Sequence, residues 1–244
     1  MKFVGGIFLL LGLLSARALA VVDVQINQLQ FSYPEPVRLV QILAPVSGSS
    51  DWYWPASAIY KSDDDSAEQL RNQVLNQIVA LKAQRDPSEA SYQALSAIEE
   101  QVSLWTLATR VVRTINYDAA RLDPKQNPML DHGRYMIRIM PRPDSVHLAG
   151  AVMRAGSYAH KSQTSTPDYL ASISKLEGAE HDFVYVVTPF GEVNRVGIAY
   201  WNGTYNQLMP GSQVIVPVFS SIFTPSLTQF NESLAQLAVH RVLP

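Results

Sequence analysis

The sequence predicts an α+β protein with two β-rich domains, the first interrupted by a helical hairpin, and an amphipathic helix at the C-terminus. Three observations carry that prediction. Short apolar runs, alternating or continuous, recur near the start and throughout the second half, as strands do. Two stretches between Ser66 and Trp105 switch to helical spacing, and a last apolar stripe of helical period lies close to the end.

The first twenty residues read as a cleavable export leader, with Lys2 as the positive start, Phe3 to Leu14 as the apolar segment and Ala18-Leu19-Ala20 as the cleavage site. About 12 apolar residues are too few for a membrane span, which takes roughly 20, so a retained anchor is the weaker alternative. Cleavage after Ala20 places the mature chain in the periplasm. The sequence has no Cys, which removes disulfides, thiolate nucleophiles, Cys-ligated zinc and a lipid attachment site. The core must hold the fold alone, and 47% hydrophobic residues suffice for one or two domains. The formal charge is −2, and loss of Lys2 and Arg17 with the leader makes the remainder more acidic. That balance does not support a nucleic-acid partner or an anionic membrane surface.

Val22, Val24 and Ile26 alternate as a half-buried strand, and Val37 to Leu43 reads as a second strand. Gly48-Ser49-Ser50 breaks the pattern before the aromatic cluster Trp52-Tyr53-Trp54, closed by Pro55. Leu70, Val74, Ile78 and Leu81 share a helical face, with Ser66 and Gln69 as a capping box. After a break, Asp86, Pro87 and Glu89 form a second start signal for Tyr92, Leu95, Ile98, Val102 and Trp105. Together these predict an antiparallel helical hairpin. Tyr135, Ile137 and Ile139 alternate again, and Val146–Gly150, Phe183–Val187, Val193–Ala199 and Val214–Phe219 read as strands. A short helix is predicted over Tyr169–Leu176, and a hairpin turn at Pro189-Phe190-Gly191-Glu192. Thr224 and Pro225 open a final helix whose stripe is Leu227, Phe230, Leu234 and Leu237. At about 1.5 Å per residue that helix is about 22 Å long, short of the roughly 30 Å hydrocarbon core. It has no Lys or Arg before Arg241, unlike an interfacial helix. Packing on its own domain or on a partner protein remains.

Ser145 to Tyr158 reads SVHLAGAVMRAGSY, which resembles the opening of a soluble-ligand-binding β-grasp (SLBB) unit. With Trp54-Pro55, Asn127-Pro128, Ala199-Tyr200-Trp201-Asn202 and Met209-Pro210-Gly211-Ser212, nearly the whole mature chain resembles the GfcC family of group 4 capsule biosynthesis and its YjbG-like relatives. The resemblance implies two β-grasp domains related to those of Wza-type export proteins. These would span residues 21–143, with a helical insertion over about 66–110, and residues 144–223, followed by the amphipathic helix in 224–244. Two positions depart from the pattern, Ala56 in place of the usual Gly and Ala155-Gly156 in place of Pro-Gly. The family carries an Arg after the helical hairpin in a surface pocket, and Arg110 is the matching residue. A guanidinium there offers a rigid fork for a carboxylate, a phosphate or sugar hydroxyls. It is equally suited to complement a helix C-terminus or pair with an acid.

Aromatic faces stack on sugar rings, which makes Trp54 and Trp201 ligand-binding candidates beside Arg110, with Trp52 and Tyr53 more open. Large aromatics also fill cores and domain junctions, and that is the expectation for Trp54 and Trp201. Ser172-Ile173-Ser174-Lys175 matches S-x-x-K but lacks the Lys-Thr-Gly that accompanies it in penicillin-binding enzymes. The five His residues form no H-x-x-x-H pair, and Asp63-Asp64-Asp65 lacks the glycine and distal glutamate of a calcium loop. No catalytic residue, metal site or cofactor is therefore expected.

The resemblance implies a non-enzymatic periplasmic accessory of capsule or exopolysaccharide export, with the polysaccharide or the outer-membrane export machinery as partner. The alternatives are an enzyme that trims or modifies the polymer, and a purely structural interaction module.

Overall fold

Two mixed five-stranded sheets organise the computed structural model, which describes residues 21–243; the leader read into residues 1–20 lies outside them. In the first sheet, β1 (Val22–Ile26) turns through Asn27 into β2 (Leu29–Tyr33). Asn27 has φ 51°, a conformation Asn tolerates better than most residues, and its side chain bonds both the N–H and the carbonyl of Ile139. Val37–Arg38 is β3, Ala58–Lys61 is β4, Thr109–Val111 is β5, Met129–Leu130 is β6 and Gly133–Arg138 is β7. The sheet order is β2-β1-β7-β4-β5, with β1 and β7 parallel; β3 and β6 pair separately.

The second sheet comprises β8 (Ser145–Gly150), β9 (Gly156–Ala159), β10 (Phe183–Val187), β11 (Val193–Gly197) and β12 (Gln213–Val216). Its order is β11-β10-β12-β8-β9, with β8 and β12 parallel. In each sheet the first and last strands are thus the parallel pair.

The helices are α1 (Leu39–Leu43), α2 (Ser66–Lys82), α3 (Ala90–Leu104), α4 (Tyr117–Leu122), α5 (Thr166–Leu170) and α6 (Pro225–Val239). The α+β class, the hairpin α2–α3 and the C-terminal helix agree with the sequence. Between Val37 and Leu43 the expected strand is instead two strand residues followed by α1, because Leu39, Ile42 and Leu43 bury one helical face. Neither hairpin helix uses its expected cap. Asp64 Oδ1 accepts the Ser66 N–H, and the Asp86–Glu89 box closes as a turn ahead of α3, with Glu89 as its N-cap. Thr224 Oγ1 accepts the N–H of Ser221 rather than capping α6. The short helix falls earlier than expected, because Ser165 caps it through the Asp168 N–H.

The first hydrophobic core lies between β1, β7 and α1. The second takes in the other sheet and α6. The hairpin connects β4 to β5 in the chain, yet Val74, Ile78, Leu95, Ile98 and Val102 are buried in the second core. Gln101 on α3 fixes that docking, bonding both the N–H and the carbonyl of Gly150 at 2.9 Å. Gly150 has φ +94°, and a Cβ there would lie 2.1 Å from the Val216 carbonyl oxygen. Only glycine fits.

Candidate functional site

Arg110 lies on β5, the edge of the first sheet, opposite Tyr60 of β4. Directly opposed residues project from the same face, and β4 in turn sets Ala58 opposite Arg138 of β7. The second sheet contributes a matching row, with Gln213, His147 and Ser157 opposite one another across β12, β8 and β9. The two rows face a common cleft of about 120 Å³, to which Arg241, just beyond α6, adds a third guanidinium. That volume equals about four liquid waters. It suits one compact group rather than a sugar ring.

The backbone N–H of Arg110 donates to His240 Nδ1 at 3.0 Å, and its guanidinium donates to the Pro189 carbonyl in the β10–β11 turn. The guanidinium lies over Gly191, where a Cβ would come 3.2 Å from Nε. Arg110 is a strand residue and has no carboxylate partner among the described residues, so it neither caps a helix nor closes an ion pair.

Among the described residues no carboxylate lines the cleft. Burial lowers the pKa of Arg110 and Arg241 below the ordinary guanidinium value. Arg241 Nη1 is buried with no hydrogen-bond partner among the described residues, and its guanidinium sits 4.9 Å from the Trp105 ring centre. His147, 8% exposed, has its pKa lowered to about 4 by burial and then by the Arg241 charge. Its Nδ1 lies 3.1 Å from Ser157 Oγ. Burial and the Arg110 charge also lower the pKa of His240, in keeping with a neutral ring whose Nδ1 accepts a hydrogen bond from the Arg110 backbone N–H. Two guanidiniums desolvated beside a third, with no counter-charge among the described residues, are costly, and a carboxylate, phosphate or sulfate would relieve that cost.

The other two sequence candidates lie elsewhere. Trp54 is half-buried in a 3-10 turn, Trp54–Ala56, and packs against the first core; Ala56, at the end of that turn, lines the cleft. Trp201 stands 73% exposed on the turn after β11, so the expected core packing does not occur there. Arg138, Arg241 and His147 were not legible as a site. They come from separate parts of the chain, and only strand register and the end of α6 bring them together.

Ser172 Oγ donates to the Tyr169 carbonyl and Lys175 Nζ to that of Glu180, so the S-x-x-K pair is not hydrogen-bonded to itself. Asp63 and Asp64 accept backbone N–H groups of Arg134 and Ser66. No helix among the described residues is long and apolar enough to cross a membrane.

Comparison with known proteins accords with this architecture. The domain described as "Capsule biosynthesis GfcC, N-terminal" matches residues 16–142, and "Capsule biosynthesis GfcC C-terminal" matches residues 154–243. The chain belongs to the GfcC family of capsule biosynthesis proteins. Among individual proteins it is similar to YjbG of Escherichia coli (strain K12), 26% identical over 207 residues, which cover 84% of this chain and 82% of that protein.

Proposed function

We propose that this protein is a non-enzymatic periplasmic accessory of capsule or exopolysaccharide assembly or export, which holds an acidic group of the polymer or of an export component in the cleft. The observation that carries the reading is the set of Arg110, Arg138 and Arg241 around a space that no carboxylate of the described residues lines. Its size suits one anionic substituent, such as the carboxylate of an acidic sugar. The parallel pairing of first and last strands in both sheets supports two β-grasp domains, divided near residue 143.

One observation favours a second reading, a polymer-modifying hydrolase or acyltransferase: Ser157 Oγ and His147 Nδ1 are within hydrogen-bond distance in the cleft. Two features weigh against it. A base with a pKa of about 4 is poorly matched to neutral pH, and no carboxylate among the described residues lines the cleft to orient the imidazole.

The test is surface polysaccharide output in cells carrying single substitutions. Arg110→Ala should lower output while moving the thermal midpoint little, since only the Pro189 carbonyl loses a donor and no acid of the described residues is left unpaired. Arg110→Lys should recover little, because an ammonium lacks the planar fork. Ser157→Ala should leave output intact. Full output from Arg110→Ala would falsify the binding role of the cleft, and loss of output with Ser157→Ala would favour the enzyme.

A further inference from the structure

On the other side of the segments that border the cleft lies a second concavity. The turn Trp54–Ala56 and the stretch Met140–Pro143 separate the two, with Ala56, Met140 and Pro143 lining the cleft and Trp54 and Arg142 lining this groove. The Tyr53 N–H donates to the Met140 carbonyl and ties the two segments together. The groove has a volume of about 500 Å³, within the roughly 300–1,000 Å³ of small-molecule sites.

Its walls combine aromatic faces with hydroxyl-binding groups. Trp52, Tyr53, Trp54 and Tyr117 are all half-buried and line the groove; Trp52, Trp54 and Tyr117 pack against the first core, and the Arg121 guanidinium lies over the Tyr117 ring. Trp52 Nε1 donates to the Val46 carbonyl at 2.7 Å, which fixes that indole, whereas Trp54 Nε1 has no protein acceptor among the described residues. Asp51, Asp118 and Arg142 are exposed at the rim, and the Arg142 guanidinium lies 5.2 Å from the Tyr53 ring centre.

We infer that this groove holds an uncharged sugar ring of the same polysaccharide. The electron-rich faces of the aromatics attract the polarised C–H bonds of a pyranose. Carboxylates accept from its hydroxyls, while a guanidinium and a free indole N–H donate to them. Charge separates the two sites. Among the described residues the groove has two acidic groups against one guanidinium and disfavours an anion, whereas the cleft has three guanidiniums and no acid. A polymer of neutral and acidic sugars can engage both across the shared ridge. This inference rests on the reading of the protein as a polysaccharide-binding accessory.

The test is titration calorimetry of the mature full chain with surface polysaccharide purified from the cells that make it. Tyr53→Ala and Asp118→Asn should each weaken binding, and Trp54→Ala should do so about tenfold or more. Trp54→Phe keeps an aromatic face and should retain more affinity than Trp54→Ala. Trp54 also touches the first core, so near-UV circular dichroism accompanies each variant; if Trp54→Ala unfolds, the other three carry the test. Arg110→Ala serves as the cleft control. If it abolishes binding while the groove variants bind as wild type, the groove inference is overturned and the polysaccharide-binding reading stands. If the wild-type chain does not bind the polymer, both fall. Groove variants that bind normally yet lower capsule output would assign the groove to a protein partner and overturn the inference.

Discussion

His147 is neutral in the folded chain because burial and the Arg241 charge lower its pKa from 6.5 to about 4. Between those values the unfolded chain binds a proton that the folded chain does not. Stability is therefore full above pH 6.5, falls as pH drops toward about 4, and levels off below it. The loss should be about 3 kcal/mol at most, and His240 shifts in the same direction. Thermal midpoints measured from pH 7 down to 4.5 should decline, and His147→Gln should flatten the decline; an unchanged slope in that variant would count against the assignment. Individual residues were the scale at which the sequence disclosed least. Arg110 was legible through its place after the hairpin, because the resemblance supplied a position to look at. Arg138 and Arg241 were not, since a buried guanidinium and an exposed one look alike in a list of residues. Trp201 departs from expectation for the converse reason. Size and hydrophobicity suggest burial, but the turn after β11 points this side chain into water.

Helix α6 shows how an element can be legible while its role is not. Its period and its start at Pro225 follow from the sequence, but the stripe alone left two destinations open, its own domain or a partner. The structure resolves the choice, because Leu227, Phe230, Leu234 and Leu237 are buried in the second core. Asn231, buried beside them, bonds the N–H of Val218 at 3.0 Å and its carbonyl at 2.8 Å. Each large apolar side chain so buried contributes about 1.5–3 kcal/mol. Truncation after Phe223 should therefore yield an aggregated or unfolded chain, scored by soluble yield and circular dichroism. A soluble truncation with native-like spectra would make α6 a docking element instead. Residues Val37 to Leu43 illustrate the opposite difficulty. A short apolar run fits a strand and a buried helix alike, and only the i, i+3, i+4 placement of Leu39, Ile42 and Leu43 hinted at α1. The strand β10 was read to the residue, because Phe183–Val187 is buried throughout and bounded on both sides by polar or turn residues.

At the scale of the whole molecule, the two sheets are tied at several points. The chain leaves the first sheet at Lys61, buries the hairpin in the second core and returns at Thr109. It crosses again between Arg138 and Ser145. The end of the chain returns as well, with Ala108 N–H donating to the His240 carbonyl and Val242 N–H to that of Thr106. This embedding was illegible in the sequence, since a helical stripe does not say which sheet it will cover. Unfolding in urea should accordingly be a single transition, with Trp52 and Trp54 reporting the first core and Trp105 the second. Single-tryptophan variants whose midpoints differ would show separable domains. The hairpin also imposes an order in time. When the chain is made N-terminus first, residues 66–104 appear long before the strands and last helix that cover them. The two helices pack on each other and α3 meets β8 once residues 145–150 are made, but α2 stays uncovered on its α6 side until Pro225–Val239 arrives. The second core therefore closes only when the last helix is in place, and the hairpin keeps an uncovered apolar edge until the final turns are complete.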